Sequence, residues 1–167
     1  MDKLWSPWRS NYIQSFKNKN DKEECVFCSA PNLDINDDNS LVIHKSELCY
    51  AMLNLYPYNS GHLMIIPYRH LSDTDDLTKE EFADITNVLS LSKKALAAAM
   101  KPQGFNIGAN IGKAAGAGID QHIHFHIVPR WIGDTNFMPT LGEVKVISQD
   151  LLETKKELIK AFIYLTI

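Results

Sequence analysis

The sequence predicts an α+β fold, an antiparallel sheet with one long helix on a face and a second helix at the C-terminal end. Three observations carry this. Short β-branched, aromatic and aliphatic runs (41–44, 49–53, 63–66, 105–109) are bounded by turn chemistry. Sequential strands joined by tight turns pair antiparallel. A helical stretch opens at Thr78-Lys-Glu-Glu81, which is a capping box, and places Phe82, Ile85, Leu89, Leu96 and Met100 near helical spacing. Finally, residues 122–128 alternate histidine with bulky apolar residues, a period of two that belongs to a strand.

Taken in order, residues 1–20 are polar with Trp5, Trp8, Tyr12 and Phe16 embedded, and read as an N-terminal arm whose aromatics dock on the body or on a partner subunit. The domain proper is 21–167. Cys25-Val-Phe-Cys28 comes first, then an Asn- and Asp-rich loop from Pro31 to Ser40. Leu41–His44 and Cys49–Leu53 read as strands joined by a tight turn at Lys45-Ser46-Glu47. Tyr56 to Gly61 is turn chemistry, and Leu63–Ile66 is a short buried strand stopped by Pro67. The long helix ends at Pro102 and Gly104. Phe105–Ala109 is a strand that leads into a glycine-rich stretch, and the histidine strand then runs to Pro129. Residues 130–145 are irregular. Ser148 and Asp150 cap a last helix on which Leu151, Leu158 and Phe162 share a face.

Composition narrows the function classes. The chain of 167 residues is 45% hydrophobic, enough for one core. Seventeen Lys and Arg against 20 Asp and Glu give net charge −3, so no global basic field exists for nucleic acid. Three cysteines, an odd number, argue against a disulfide scaffold and for a reducing cytoplasm. No apolar run approaches the ~20 residues of a membrane span, and the N-terminus has no signal-peptide h-region.

In an extended strand His122, His124 and His126 line one face, at about 6–7 Å per step of two residues, while Ile123, Phe125 and Ile127 line the other. Such a row suits two chemistries. The rings can ligate a metal, as His-x-His pairs do in catalytic zinc sites. Alternatively, one imidazole is a nucleophile with a ring nitrogen pinned as donor and the other free, its neighbours orienting the electrophile and protonating the leaving group. Five of the eight glycines lie between Gly104 and Gly118 and let backbone N–H groups approach a phosphate. A P-loop is excluded, because only three residues separate Gly108 from Gly112 and Ala114 follows Lys113. Cys25 and Cys28 are either a buried pair or half of a zinc knuckle completed by histidines. Asn54, Asn106 and Asn110 are further polar candidates, and Cys49 reads as core.

The stretch His122-Ile-His-Phe-His-Ile-Val128 resembles the histidine triad (HIT) motif at all seven positions. Gly61-His62 through Pro67 to His70 is similar to the upstream segment of that superfamily, and Cys25-x-x-Cys28 to members with a zinc knuckle. Trp5 to Arg9, Asn54 to His62 and Pro129 to Pro139 look like the bacterial ATP adenylyltransferase, or diadenosine tetraphosphate phosphorylase, branch. The resemblance implies a five-stranded antiparallel sheet, a homodimer, and nucleotidyl transfer or hydrolysis at the α-phosphate of an adenine nucleotide or dinucleoside polyphosphate. It makes His124 the nucleophile and His126 the residue at the phosphate and leaving group. It gives structural zinc to Cys25, Cys28, His70 and His122, with no catalytic cofactor. It assigns nucleotide contacts to Asn54, at the ribose, and Asn110, at the phosphate, and makes the Gly118–Gln121 region a phosphate site where backbone N–H groups stand in for side chains. Trp131, Asp134, Asn136 and Phe137 become candidates for a loop near the substrate. The readings against which this stands are a phosphoramidate or dinucleoside polyphosphate hydrolase of the same superfamily, a metallohydrolase, and a non-catalytic adenylate-binding module.

Overall fold

The computed structural model describes residues 25–134 and 149–166. The aromatics of the N-terminal arm, Asn136, Phe137 and Ser148 lie outside the described residues. A one-turn helix α1 (Val26–Ser29) is followed by β1 (Val42–Lys45), β2 (Cys49–Leu53) and β3 (Leu63–Pro67). The long helix α2 (Lys79–Met100), β4 (Gly104–Ala109), β5 (Phe125–Arg130) and α3 (Leu151–Thr166) complete the order. The five strands form one sheet in the order β1-β2-β3-β5-β4, with every neighbouring pair antiparallel. Among the described residues no helix is long and apolar enough to cross a membrane.

Period-two alternation sorts the strands between two cores. Cys49, Ala51, Leu53, Leu63, Ile65 and Ile127 pack against Ile85, Val88, Ala95 and Leu96 of α2 and Leu158 and Phe162 of α3. On the opposite face, Tyr50, Met52, Met64 and Ile66 pack with Phe27 of α1. Both faces of β2 and β3 are therefore covered, which is why their sequences read as unbroken apolar runs.

The capping box forms as the sequence predicts. Thr78 Oγ1 accepts from the Glu81 N–H at 3.1 Å, and Glu81 Oε2 accepts from the Thr78 N–H at 2.8 Å. Arg69 also grips the Glu81 carboxylate, Nε to Oε1 at 2.7 Å and Nη2 to Oε2 at 2.6 Å. That guanidinium, more than any other neighbour, holds the Glu81 carboxyl at about 2, well below the usual range. The same pair ties the segment carrying His70 to the start of α2. The buried stripe of α2 runs through Glu81, Ile85, Val88, Ser92, Ala95 and Leu96. Phe82, expected on the core side, is 49% exposed, because the stripe centres on Glu81, Ile85, Val88 and Ser92 and Phe82 lies about 100° round the helix from Glu81. Asp150 caps α3 by accepting from the N–H groups of Leu152 and Glu153 at 2.9 and 3.0 Å.

Candidate active site

The histidine stretch is not one continuous strand. Pairing between β3 and β5 ends at Ile65 with Phe125. Beyond it Pro67 has no N–H to offer, and the Ile123 N–H bonds the Leu71 carbonyl at 2.7 Å instead. Only His126 belongs to β5, and His122 and His124 lie on the chain that leads into it. The rings still gather on the sheet face away from α2, all buried, with His124 and His126 centroids 4.8 Å apart and nearly perpendicular. Gly108 sits opposite His126 in the ladder, and a Cβ there would meet nothing within 4 Å, so the strand beside His126 leaves open space.

Hydrogen bonds assign a tautomer to each ring. His122 Nε2 donates to the Pro67 carbonyl at 2.9 Å, which leaves Nδ1 as a lone pair. His124 Nδ1 donates to the His122 carbonyl at 2.9 Å, which leaves Nε2 as a lone pair. The Tyr58 backbone N–H donates to His62 Nδ1 at 3.0 Å, so His62 carries its proton on Nε2 and donates it to His126 Nδ1 at 2.9 Å. The remaining proton of His126 is therefore on Nε2, a buried atom with no hydrogen-bond partner among the described residues. Burial is the first cause keeping both rings neutral. His124 lies below the ordinary imidazole value despite its bond to the His122 carbonyl, and His126 is lowered to about 4, with His124 adding to the effect. An unprotonated imidazole nitrogen thus belongs to a ring 4.8 Å from one whose buried N–H is unengaged among the described residues.

His122 points to a different cluster. The ligand atoms of Cys25, Cys28, His70 and His122 lie within 4.8 Å of one another, the one such group found among the described residues. A tetrahedral zinc with sulfur at ~2.3 Å and nitrogen at ~2.0–2.1 Å sets each sulfur–nitrogen edge at about 3.5 Å. The Sγ to Nδ1 separations are 3.4 Å for Cys25–His122, 3.6 Å for Cys28–His122 and 3.3 Å for Cys28–His70. Since Nε2 of His122 is committed to Pro67, its Nδ1 directs one lone pair at two sulfurs, which is the donor set of a metal site with its outer shell in place. The four residues fit zinc. His124 and His126 are not in this cluster, so the triad does not converge as a set of metal ligands.

The knuckle touches the triad through Phe27, whose ring lies 5.0 Å from that of His124 and 5.7 Å from that of His122. The Tyr50 hydroxyl donates to the Phe27 carbonyl at 2.6 Å and fixes that turn.

The other sequence candidates fall at varying distances from this centre. Asn54 follows β2, and its side chain is already engaged, Oδ1 accepting from the Tyr56 N–H at 2.9 Å and Nδ2 lying 3.4 Å from His62 Nδ1. Asn110 follows β4 and is half-buried, and Gly118 is exposed. Gln121 is exposed and lines a cleft with Arg69, His70 and Asp120 on the metal side. Asp134 turns inward to Arg130 and Asn59. His62 was not among the sequence candidates for catalysis. Its signal was available: a histidine after a glycine, heading a buried strand, is fully buried here and needs two polar partners.

Comparison with known proteins follows the same lines. The HIT domain family model matches residues 36–131. AP-4-A phosphorylase of Mycobacterium tuberculosis is 40% identical over 159 residues, which span 93% of this chain and 82% of the relative. Adenosine 5'-monophosphoramidase of Schizosaccharomyces pombe is 34% identical over 134 residues, 76% of this chain and 95% of the relative. Among solved structures, a Zn-bound histidine triad family protein from Mycobacterium smegmatis superposes with a TM-score of 0.68 at 28% identity, covering 86% of this chain and 96% of that one.

Proposed function

The chain belongs to the HIT domain family and is an enzyme of it; from that premise we propose that it transfers the adenylyl group of an adenine dinucleoside polyphosphate by way of His124. The observation that carries this is the bond from His124 Nδ1 to the His122 carbonyl, which leaves Nε2 as a nucleophile beside the His126 Nε2–H donor.

In the first step His124 Nε2 forms a bond to the α-phosphorus while the bond to the leaving polyphosphate oxygen breaks. The electron pair goes to that oxygen, and His126 Nε2–H supplies a hydrogen bond to the charge that develops there. The imidazolium of the adenylyl-histidine keeps its Nδ1 proton on the His122 carbonyl. In the second step phosphate attacks the same phosphorus, the phosphorus–nitrogen bond breaks, and its electrons return to His124. A polyphosphate leaves as an anion, so the hydrogen bond from His126 serves it without proton transfer. Zinc on Cys25, Cys28, His70 and His122 would supply structure, tying α1 to the chain that follows β3 and to the chain that leads into β5. The Zn-bound relative supports that reading.

The AP-4-A phosphorylase relative favours diadenosine tetraphosphate as substrate and phosphate as acceptor. The monophosphoramidase relative supports the second reading, an adenosine phosphoramidate with an amine as leaving group. Incubation with diadenosine tetraphosphate, with and without phosphate, separates them. ADP plus ATP is the expected product pair. AMP means water as acceptor, and no turnover moves the assignment to phosphoramidates. A homodimer is the further reading. β4 is a sheet edge with Ile107 half-exposed, and an apolar edge strand is the place for a second copy to pair.

A further inference from the structure

Two stretches that stand apart in sequence, Asn54 to His62 and Pro129 to Asp134, are one device in the structure. Gly133 adopts φ 86, which closes a turn in which the Asp134 N–H reaches the Trp131 carbonyl at 3.1 Å. That turn swings the Asp134 carboxylate back over the end of β5, where its side chain is 9% exposed. Arg130 grips it with both prongs, Nε to Oδ2 and Nη2 to Oδ1, each at 2.7 Å. The Trp131 N–H adds a bond to Oδ2 at 3.1 Å. Oδ2 also accepts from Asn59 Nδ2 at 2.8 Å, and the same amide donates to the Pro129 carbonyl at 3.0 Å.

Asn59 is buried, and its own carbonyl accepts the His62 N–H at 3.2 Å. It immediately follows Tyr58, whose N–H holds His62 Nδ1 and whose ring packs, tilted, at 4.5 Å from that of His62 and 5.5 Å from that of His126. The carboxylate thus fixes the neighbour of Tyr58, the residue on which the tautomer of His62, and through it that of His126, depends.

We propose that Asp134 is a positioning residue which, through Asn59, keeps the Tyr58 amide on His62 and so keeps the His126 proton on Nε2, facing the leaving group. This rests on the role given to His126 above. Among the described residues Asp134 bonds Arg130, Trp131 and Asn59, none of which carries a reacting atom. It acts by excluding the loop conformations in which His62 could turn and present Nδ1–H.

The test uses the full chain with Asp134→Ala, Asn59→Ala and the double variant, read by imidazole ¹⁵N NMR and by steady-state kinetics on diadenosine tetraphosphate. The wild type is expected to show His126 with Nδ1 unprotonated and Nε2 protonated. Each single variant should show tautomer mixing at His126 and a loss of kcat of about tenfold with KM within about twofold. The double variant should lose no more than the worse single one, because the two side chains act in series. Should Asp134→Ala fail to fold, Asn59→Ala carries the tautomer and kcat tests, since Arg130 still holds the carboxylate there. Three results overturn the proposal: lowered stability with an unchanged His126 signature and kcat, a raised KM with unchanged kcat, or additive losses in the double variant. The NMR measurement needs no substrate. A wild type that turns over neither diadenosine tetraphosphate nor an adenosine phosphoramidate therefore removes the role of His126, while the tautomer still decides the role of Asp134.

Discussion

Replacing Gly61 by alanine tests how firmly His62 is seated. Gly61 has φ 72, and a Cβ built there would lie 2.5 Å from Met100 Sδ and 3.0 Å from Leu96 Cδ2. The left-handed backbone costs an L-residue roughly 1–2 kcal/mol. Displacing Met100 adds about 1 kcal/mol, the low end for overpacking, because the sulfur lies near the free end of a flexible side chain. The sum is about 2–3 kcal/mol, which lowers Tm by about 5–10 °C in a chain of this size. Urea unfolding of Gly61→Ala, Met100→Ala and the double variant partitions it. The double variant should recover about 1 kcal/mol relative to additivity, the clash being gone and the backbone strain remaining. Since His62 is the next residue, kcat should fall with stability in Gly61→Ala. Stability within about 0.5 kcal/mol of the parent, or strict additivity with Met100→Ala, would refute the packing argument.

The remaining predictions concern the metal, the pH response and the sheet edge. Purified protein should carry one zinc per chain, lost in Cys28→Ser; at free zinc near 100 times Kd, chelation removes about 2.7 kcal/mol, and an unchanged Tm after zinc removal contradicts a folding role. His126 titrates near 4 when folded against an ordinary 6.5. Its contribution is therefore fully present above pH 6.5 and is lost as pH falls through 4, an upper bound of about 3 kcal/mol reduced by residual solvent screening. Urea midpoints between pH 7 and 4 should fall more steeply for the wild type than for His126→Gln, and parallel curves would remove His126 as the cause. Ile107→Lys at the β4 edge should convert a dimer to a monomer in sedimentation, whereas an unchanged mass removes that edge as the interface.

Where structure is local, the sequence made it readable. The Thr78–Glu81 box and the strand from Cys49 to Leu53 form at the residues predicted, because cap chemistry is local and an apolar run bounded by turn residues marks its own ends. The start of β5 was not readable. Alternation from His122 onward is real in the chain, but whether a residue joins a ladder depends on the neighbouring strand, and Pro67 withholds its donor there. Phe82 misled because its spacing to Ile85 and Leu89 is helical, yet the sheet takes the stripe through Glu81, Ile85 and Val88, one residue round. The histidine row was visible as a row, whereas its tautomers depend on the Pro67 carbonyl, the His122 carbonyl and the Tyr58 N–H, which only the fold brings together. Asp134 looked like a loop residue near substrate, and nothing in its spacing pointed to Asn59, 75 positions away.

The central claim is that His124 Nε2 is the nucleophile. Its most direct test is to quench wild type and His124→Ala after mixing with diadenosine tetraphosphate, phosphate withheld, and to read intact mass and the modified peptide. The wild type should gain one adenylyl group on His124 through an acid-labile phosphorus–nitrogen bond, and His124→Ala should gain none and show no turnover. An adduct on another residue, or turnover by His124→Ala at the wild-type rate, would contradict it.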